Sequence, residues 1–114
     1  MSLVMIYEEY NIINKDFLEF ANKIAEESLE NYSDEKLEKL KEYKEKFEEI
    51  MEKSSELVVS EENEINLNDL RYLVLDSLFL AADLSNFYHY KEVERFKMRI
   101  ANYINKRRRA EFGI

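Results

Sequence analysis

The 114-residue chain has no cysteine, no proline and no tryptophan, and a single glycine, Gly113. Without cysteine there is no disulfide framework, no zinc–thiolate centre and no cysteine nucleophile. A chain with almost no glycine or proline lacks the turn chemistry of an all-β sandwich or barrel. It also lacks the internal glycines of a phosphate-cradling loop, which excludes dinucleotide-binding and P-loop units. Long hydrophobic runs are missing as well. Beyond the N-terminal stretch the longest, Leu78 to Ala82, falls far short of the ~20 residues of a membrane span. Leu3 to Tyr7 is short, has no basic flank and meets Glu8 and Glu9 at once, so it is not expected to act as a signal peptide. Met1-Ser2-Leu3 could in part be a leader ahead of a natural start near Val4 or Met5.

What is present favours helices. Charged residues make up 37% and hydrophobic ones 46%, which suits a folded helical chain rather than a disordered one. The length fits one domain over residues 1–114, and the missing cysteine fits a cytoplasmic protein. The net charge of −8 is unevenly spread: residues 1–64 carry 19 acids and 8 bases, residues 65–114 carry 6 acids and 9 bases. All the arginines lie in the second part, so only the C-terminal region would attract a polyanion.

Periodicity gives four helices. Leu3, Ile6, Tyr10, Ile13, Phe17, Phe20 and Ile24 follow a 3-4 spacing, predicting a helix over about 3–31 with a possible break at Asn14. Ser33 or Asp34 caps a second helix, about 34–59, with Leu37, Leu40, Phe47, Ile50, Met51, Leu57 and Val58 on one side. Residues 60–64 read as a solvated loop. Asn66 or Asn68 caps a third helix, about 67–86, whose apolar residues cover most of its circumference. Ser85-Asn86 reads as a stop, and a fourth helix spans about 89–110. The expected fold is all-α, an antiparallel four-helix bundle.

Within it, Asp69, Asp76 and Asp83 recur at heptad spacing. If helices 3 and 4 reverse about residues 86–88, Asp83 faces Lys91, Asp76 faces Arg99 and Asp69 faces Lys106. The three aspartates lie ~10 Å apart along the axis, too far to share one metal ion. The sole histidine, His89, has no glutamate three residues before it, so the Glu-x-x-His signature of di-iron bundles is absent.

Three functional classes fit these residues. The first is a non-catalytic helical interaction or structural module, self-associating or bound to a helical partner. Its contact surface is expected at Leu3, Ile6, Tyr10 and Ile13 with part of helix 3, and Asp at Ile6 and Ile13 should then dissociate the oligomer. No cofactor and no membrane are implied. The second is a nucleic-acid-binding accessory protein using Lys106, Arg107, Arg108 and Arg109, where each neutralised phosphate adds salt-dependent affinity. Cations in a last helical turn also stabilise the helix dipole.

The third class rests on a resemblance. Glu48-Glu49-Ile50-Met51-Glu52 has the form Glu-Glu-x-x-Glu, and Leu73-x-x-Asp76 opens the apolar stretch downstream. Over about residues 45–109 this resembles the all-helical nucleoside triphosphate pyrophosphohydrolases of the MazG type, whose second motif is Glu-x-x-Asp. The resemblance implies Mg²⁺ held against substrate phosphates by Glu49, Glu52 and Asp76. Leu73 stands where that family has a metal-binding glutamate, and Glu26-Glu27-Ser28-Leu29-Glu30 repeats the first motif elsewhere.

Overall fold

A computed structural model describes residues 2–112, with side chains described through residue 110. Four helices follow one another: α1 (Leu3–Glu26), α2 (Asp34–Glu56), α3 (Glu64–His89) and α4 (Val93–Phe112). They form an all-α four-helix bundle. A single 3-10 turn, Glu61–Asn63, precedes α3.

Side-chain contacts fix the directions. Lys53 bonds Glu9 and Tyr43 bonds Asp16, so α2 runs antiparallel to α1. Arg71 reaches the Ser54 carbonyl and Tyr88 the Ser33 amide, so α3 reverses again. Asn14 meets Tyr103, and Lys97 meets Ser28, so α4 lies antiparallel to α1. The bundle is thin, 48 × 32 × 18 Å, because it is compressed along one diagonal. α1 and α3 meet across that diagonal, whereas α2 and α4 stay apart.

One core joins all four helices. Phe17 packs edge-on against Phe47 at 5.5 Å, beside Tyr43 at 5.3 Å. Each such ring removed from water contributes about 1.5–3 kcal/mol. At the other end Tyr32 stacks on Tyr88 at 4.6 Å, and the Tyr88 hydroxyl accepts the Ser33 N–H at 2.9 Å. Ser2 caps α1 by accepting the Met5 N–H, and Ser33 caps α2 by accepting that of Lys36.

The helix ends differ from the periodic reading. α1 stops at Glu26 rather than 31, and it is continuous through Asn11 and Asn14. After Glu26 the chain turns through Ser28 (φ 51°) and Leu29 (φ 59°). The Leu29 N–H reaches the Ile24 carbonyl and the Ser28 N–H that of Ala25, the paired bonds of a Schellman stop. Buried Leu29 closes it. α2 ends at Glu56, three residues short of expectation, where Leu57 turns extended. α3 begins at Glu64, continuing the 3-10 turn, with Asn63 at the cap position rather than Asn66 or Asn68.

α3 also runs through Ser85-Asn86 to His89. The Ser85 hydroxyl bonds back to the Ala81 carbonyl, which satisfies it inside the helix and removes the reason to stop. The true stop is at Lys91, φ 56°, with Glu92 N–H to Phe87 and Lys91 N–H to Tyr88. α4 therefore covers 93–112 instead of about 89–110.

Moving that reversal shifts the charge ladder. Asp83 pairs with Arg99 at 2.8 Å and Asp76 with Lys106 at 3.0 Å. Each aspartate meets the base expected for the next rung, because the turn is centred on Lys91 rather than on 86–88. Asp69 has no ion pair among the described residues.

Candidate functional site

The first candidate surface is the outer face of α3. Ile65, Tyr72, Leu75 and Phe79 are 68%, 58%, 37% and 55% exposed. At 100° per residue they fall within about 80° of arc, and they extend about 21 Å along the helix. α3 thus buries one side in the bundle and presents on the other an apolar stripe, interrupted by exposed Asn68 between Ile65 and Tyr72. Ala82, Ser85 and Asn86 continue toward α2 and floor a groove with Lys41, Lys44, Glu45 and Glu48 on its far wall. On the α4 side the stripe is edged by the Asp76–Lys106 and Asp83–Arg99 pairs. Lys106 also lies over the Tyr72 ring at 5.1 Å and donates to its hydroxyl. Those bonds to Tyr72 and Asp76 raise the Lys106 pKa.

The surface expected from α1 is placed differently. Ile6 and Tyr10 are fully buried in the bundle core, and Leu3 and Ile13 are half-buried against it. Ile6 and Tyr10 therefore do not belong to an accessible face of the single chain. Their heptad stripe packs against this chain's own α2, α3 and α4. Aspartate at Ile6 would strike the core, so it cannot report on assembly.

The second candidate is a polar layer inside the bundle, which the sequence reading missed. Tyr10 and Asn14 on α1, Ser77 on α3, and Tyr103 and Arg107 on α4 converge on one level. Ser77 donates to Asn14 Oδ1 at 2.8 Å and sits 2.8 Å from Tyr10 Oη and 3.2 Å from Tyr103 Oη. Asn14 Nδ2 donates to Tyr103 Oη at 3.3 Å, and Tyr10 Oη also lies 3.2 Å from the Leu73 carbonyl. Arg107 donates through Nε to Tyr103 Oη at 3.0 Å and through Nη2 to Tyr10 Oη. Burial pushes the Tyr10 phenol above its ordinary range, and Tyr103 beside it adds to the rise.

A sequence signal for this layer exists. The inward stripe of α3 is Leu70, Val74, Ser77, Ala81 and Leu84, and that of α4 is Phe96, Ile100, Tyr103 and Arg107. On α1, Asn14 stands between Tyr10 and Phe17 at the same spacing. Three helices each place a polar residue at an inward heptad position.

That geometry divides the basic cluster. Four consecutive residues sweep about 300° around a helix. Lys106 goes to Asp76, and Arg107 turns into the polar layer. Arg108 and Arg109 stay exposed. Lys106 to Arg109 therefore make no common basic face.

The carboxylates of the Mg²⁺ reading are likewise dispersed. Glu49 and Glu52 are exposed on α2, while Asp76 is held by Lys106 beside α4. Among the described residues, no three His, Asp or Glu side chains are grouped to hold a metal ion. His89 ends α3 exposed, edge-on to Tyr90 at 4.8 Å. One buried side-chain nitrogen among the described residues lacks a hydrogen bond: Arg71 Nε, whose Nη2 caps the Ser54 carbonyl. No helix among the described residues is long and apolar enough to cross a membrane.

Comparison with protein-family models, with curated proteins and with solved structures found no match to this chain. The functional reading therefore rests on its own surfaces.

Proposed function

We propose that this chain is a non-catalytic helical interaction module of the cytoplasm that self-associates through the outer face of α3. The observation that carries the reading is the stripe Ile65, Tyr72, Leu75 and Phe79, left outside a core that is already complete. Two copies of α3 crossing antiparallel about Tyr72 would set Ile65 of one against Phe79 of the other, a self-complementary contact. Across two copies this covers eight apolar side chains, each worth about 1 kcal/mol for the area it still exposes. Association costs about 4–15 kcal/mol, so the expected dimer is weak and forms only at high protein concentration.

Light scattering after size exclusion, at several protein and two salt concentrations, tests it. A dimer that grows with concentration and resists salt is expected. Tyr72→Glu with Phe79→Glu should return a monomer of unchanged helicity. A wild-type monomer at every concentration, or a dimer that survives both changes, removes the α3 assignment.

A further inference from the structure

A groove of about 340 Å³ runs between α1 and α4, lined by Asn11, Asn14, Leu18, Ile104, Arg107 and Arg108. Arg107 forms its inner wall. Its guanidinium lies 5.2 Å from the Tyr103 ring centre and 6.0 Å from that of Tyr10. The two phenol oxygens occupy Nε and one N–H of Nη2. Nη1 makes no hydrogen bond among the described residues, so the Nη1–Nη2 edge keeps its donors. That edge is a planar fork matched to two oxygens of one acid group.

The surroundings are selective. Among the Asp and Glu residues whose side chains are described, none forms an ion pair with Arg107. An uncompensated charge is costly to bury, and Arg107 is half-buried without a carboxylate partner among the described residues. Here it is held rigidly by neutral phenols, which orient it without cancelling its charge. Arg108 adds a second cation at the rim, Asn11 and Asn14 supply amides, and Leu18 and Ile104 give the groove an apolar wall.

We propose that this groove binds a small organic acid, its carboxylate on the free edge of Arg107 and its apolar stem against Leu18 and Ile104. The site is independent of the α3 stripe, so it stands or falls separately from self-association.

Titration of the ¹⁵N-labelled full chain with benzoate, and separately with inorganic phosphate, tests the proposal. Saturable shifts of the Asn14 side-chain amide and the Arg107 Nε–H are expected with benzoate, at an affinity at least tenfold above that for phosphate. Arg107→Lys keeps the charge and loses the fork, and should weaken benzoate at least tenfold. Asn11→Asp, at an exposed position, should weaken it comparably by placing a negative charge at the mouth. Arg109→Gln, outside the groove, should change it less than twofold. Shifts that never saturate, or that fall equally with Arg109→Gln and Asn11→Asp, would mean diffuse attraction and overturn the site. Phosphate bound as tightly as benzoate would overturn the organic acid in favour of a bare oxyanion.

Discussion

Ser77 has one hydroxyl hydrogen and three polar neighbours, so its bonding can be counted proton by proton. It gives its hydrogen to Asn14 Oδ1 and receives that of Tyr103, while the single Tyr10 hydrogen is shared between Ser77 and the Leu73 carbonyl. Tyr103 in turn accepts from Asn14 Nδ2 and from Arg107. Every hydroxyl in the layer has both a donor and an acceptor role. Removing the centre should therefore cost more than one ordinary hydrogen bond. Ser77→Ala strands several buried groups at once, and a loss of about 1–3 kcal/mol in urea unfolding is expected. A loss within error of zero would mean the layer is not closed in solution. The tyrosines make a second prediction. Burial, then the bond to Asp16, raises the Tyr43 phenol above its ordinary 10.0, and burial raises Tyr10 likewise. The neutral phenol is favoured in the fold, so its contribution is complete below pH 10 and drains away as pH climbs through the folded value. The stability gap between wild type and Tyr43→Phe should thus narrow above pH 10; a constant gap would exclude the linkage. Ser77, Asn14 and Arg107 were legible as exceptions within apolar stripes, but a single polar residue in one stripe reads as noise. Only the register that aligns three helices turns them into a layer, and register is not visible in any one helix.

At the level of helices, existence and type were legible and the ends were not. Heptad spacing on α1 and the density of apolar residues on α3 leave no alternative to helices. The stops were invisible because the chain ends α1 and α3 in left-handed turns without the glycine that usually marks them. Ser28 and Lys91 hold that conformation at positive φ, at a cost of about 1–2 kcal/mol each relative to glycine. Missing the Lys91 turn by a few residues was enough to misassign every rung of the charge ladder, since a reversal point sets all the pairs beyond it. Ser28→Gly should raise the unfolding free energy by about 0.5–1 kcal/mol, after the loss of the half-buried bond from Lys97. Glycine at the neighbouring Glu27, φ −80°, relieves nothing and should not stabilise. Equal effects at the two positions would show that the left-handed turn is not the cause.

For the molecule as a whole, the four-helix fold follows from amphipathic spacing, and the compressed diagonal does not. It depends on small and polar residues, Ser77 and Ala81 among them, letting α3 approach α1. That compression is also why α3 has two characters. Its inner side meets three helices, yet its outer side keeps Tyr72, Leu75 and Phe79 in water. The apolar excess of α3 was readable as burial on more than one side. Which side was spoken for within the chain required the packed bundle. The same holds for α1, whose long stripe looked available and proved to be core at Ile6 and Tyr10.

The antiparallel meeting of Tyr10 with Arg107 has one more consequence. It places the beginning of α1 and the finish of α4 at the same pole of the bundle. The helices thus close a ring in which each neighbours the next, and α4 neighbours α1. What specifies the packing is cyclic order, and the linear order is one cut through it. A chain joined by a short peptide between α4 and α1, and reopened in the exposed stretch between Ser60 and Glu61, would offer the same neighbours to the same faces. It would also carry both candidate surfaces unchanged, because neither the α3 stripe nor the α1–α4 groove crosses the new cut.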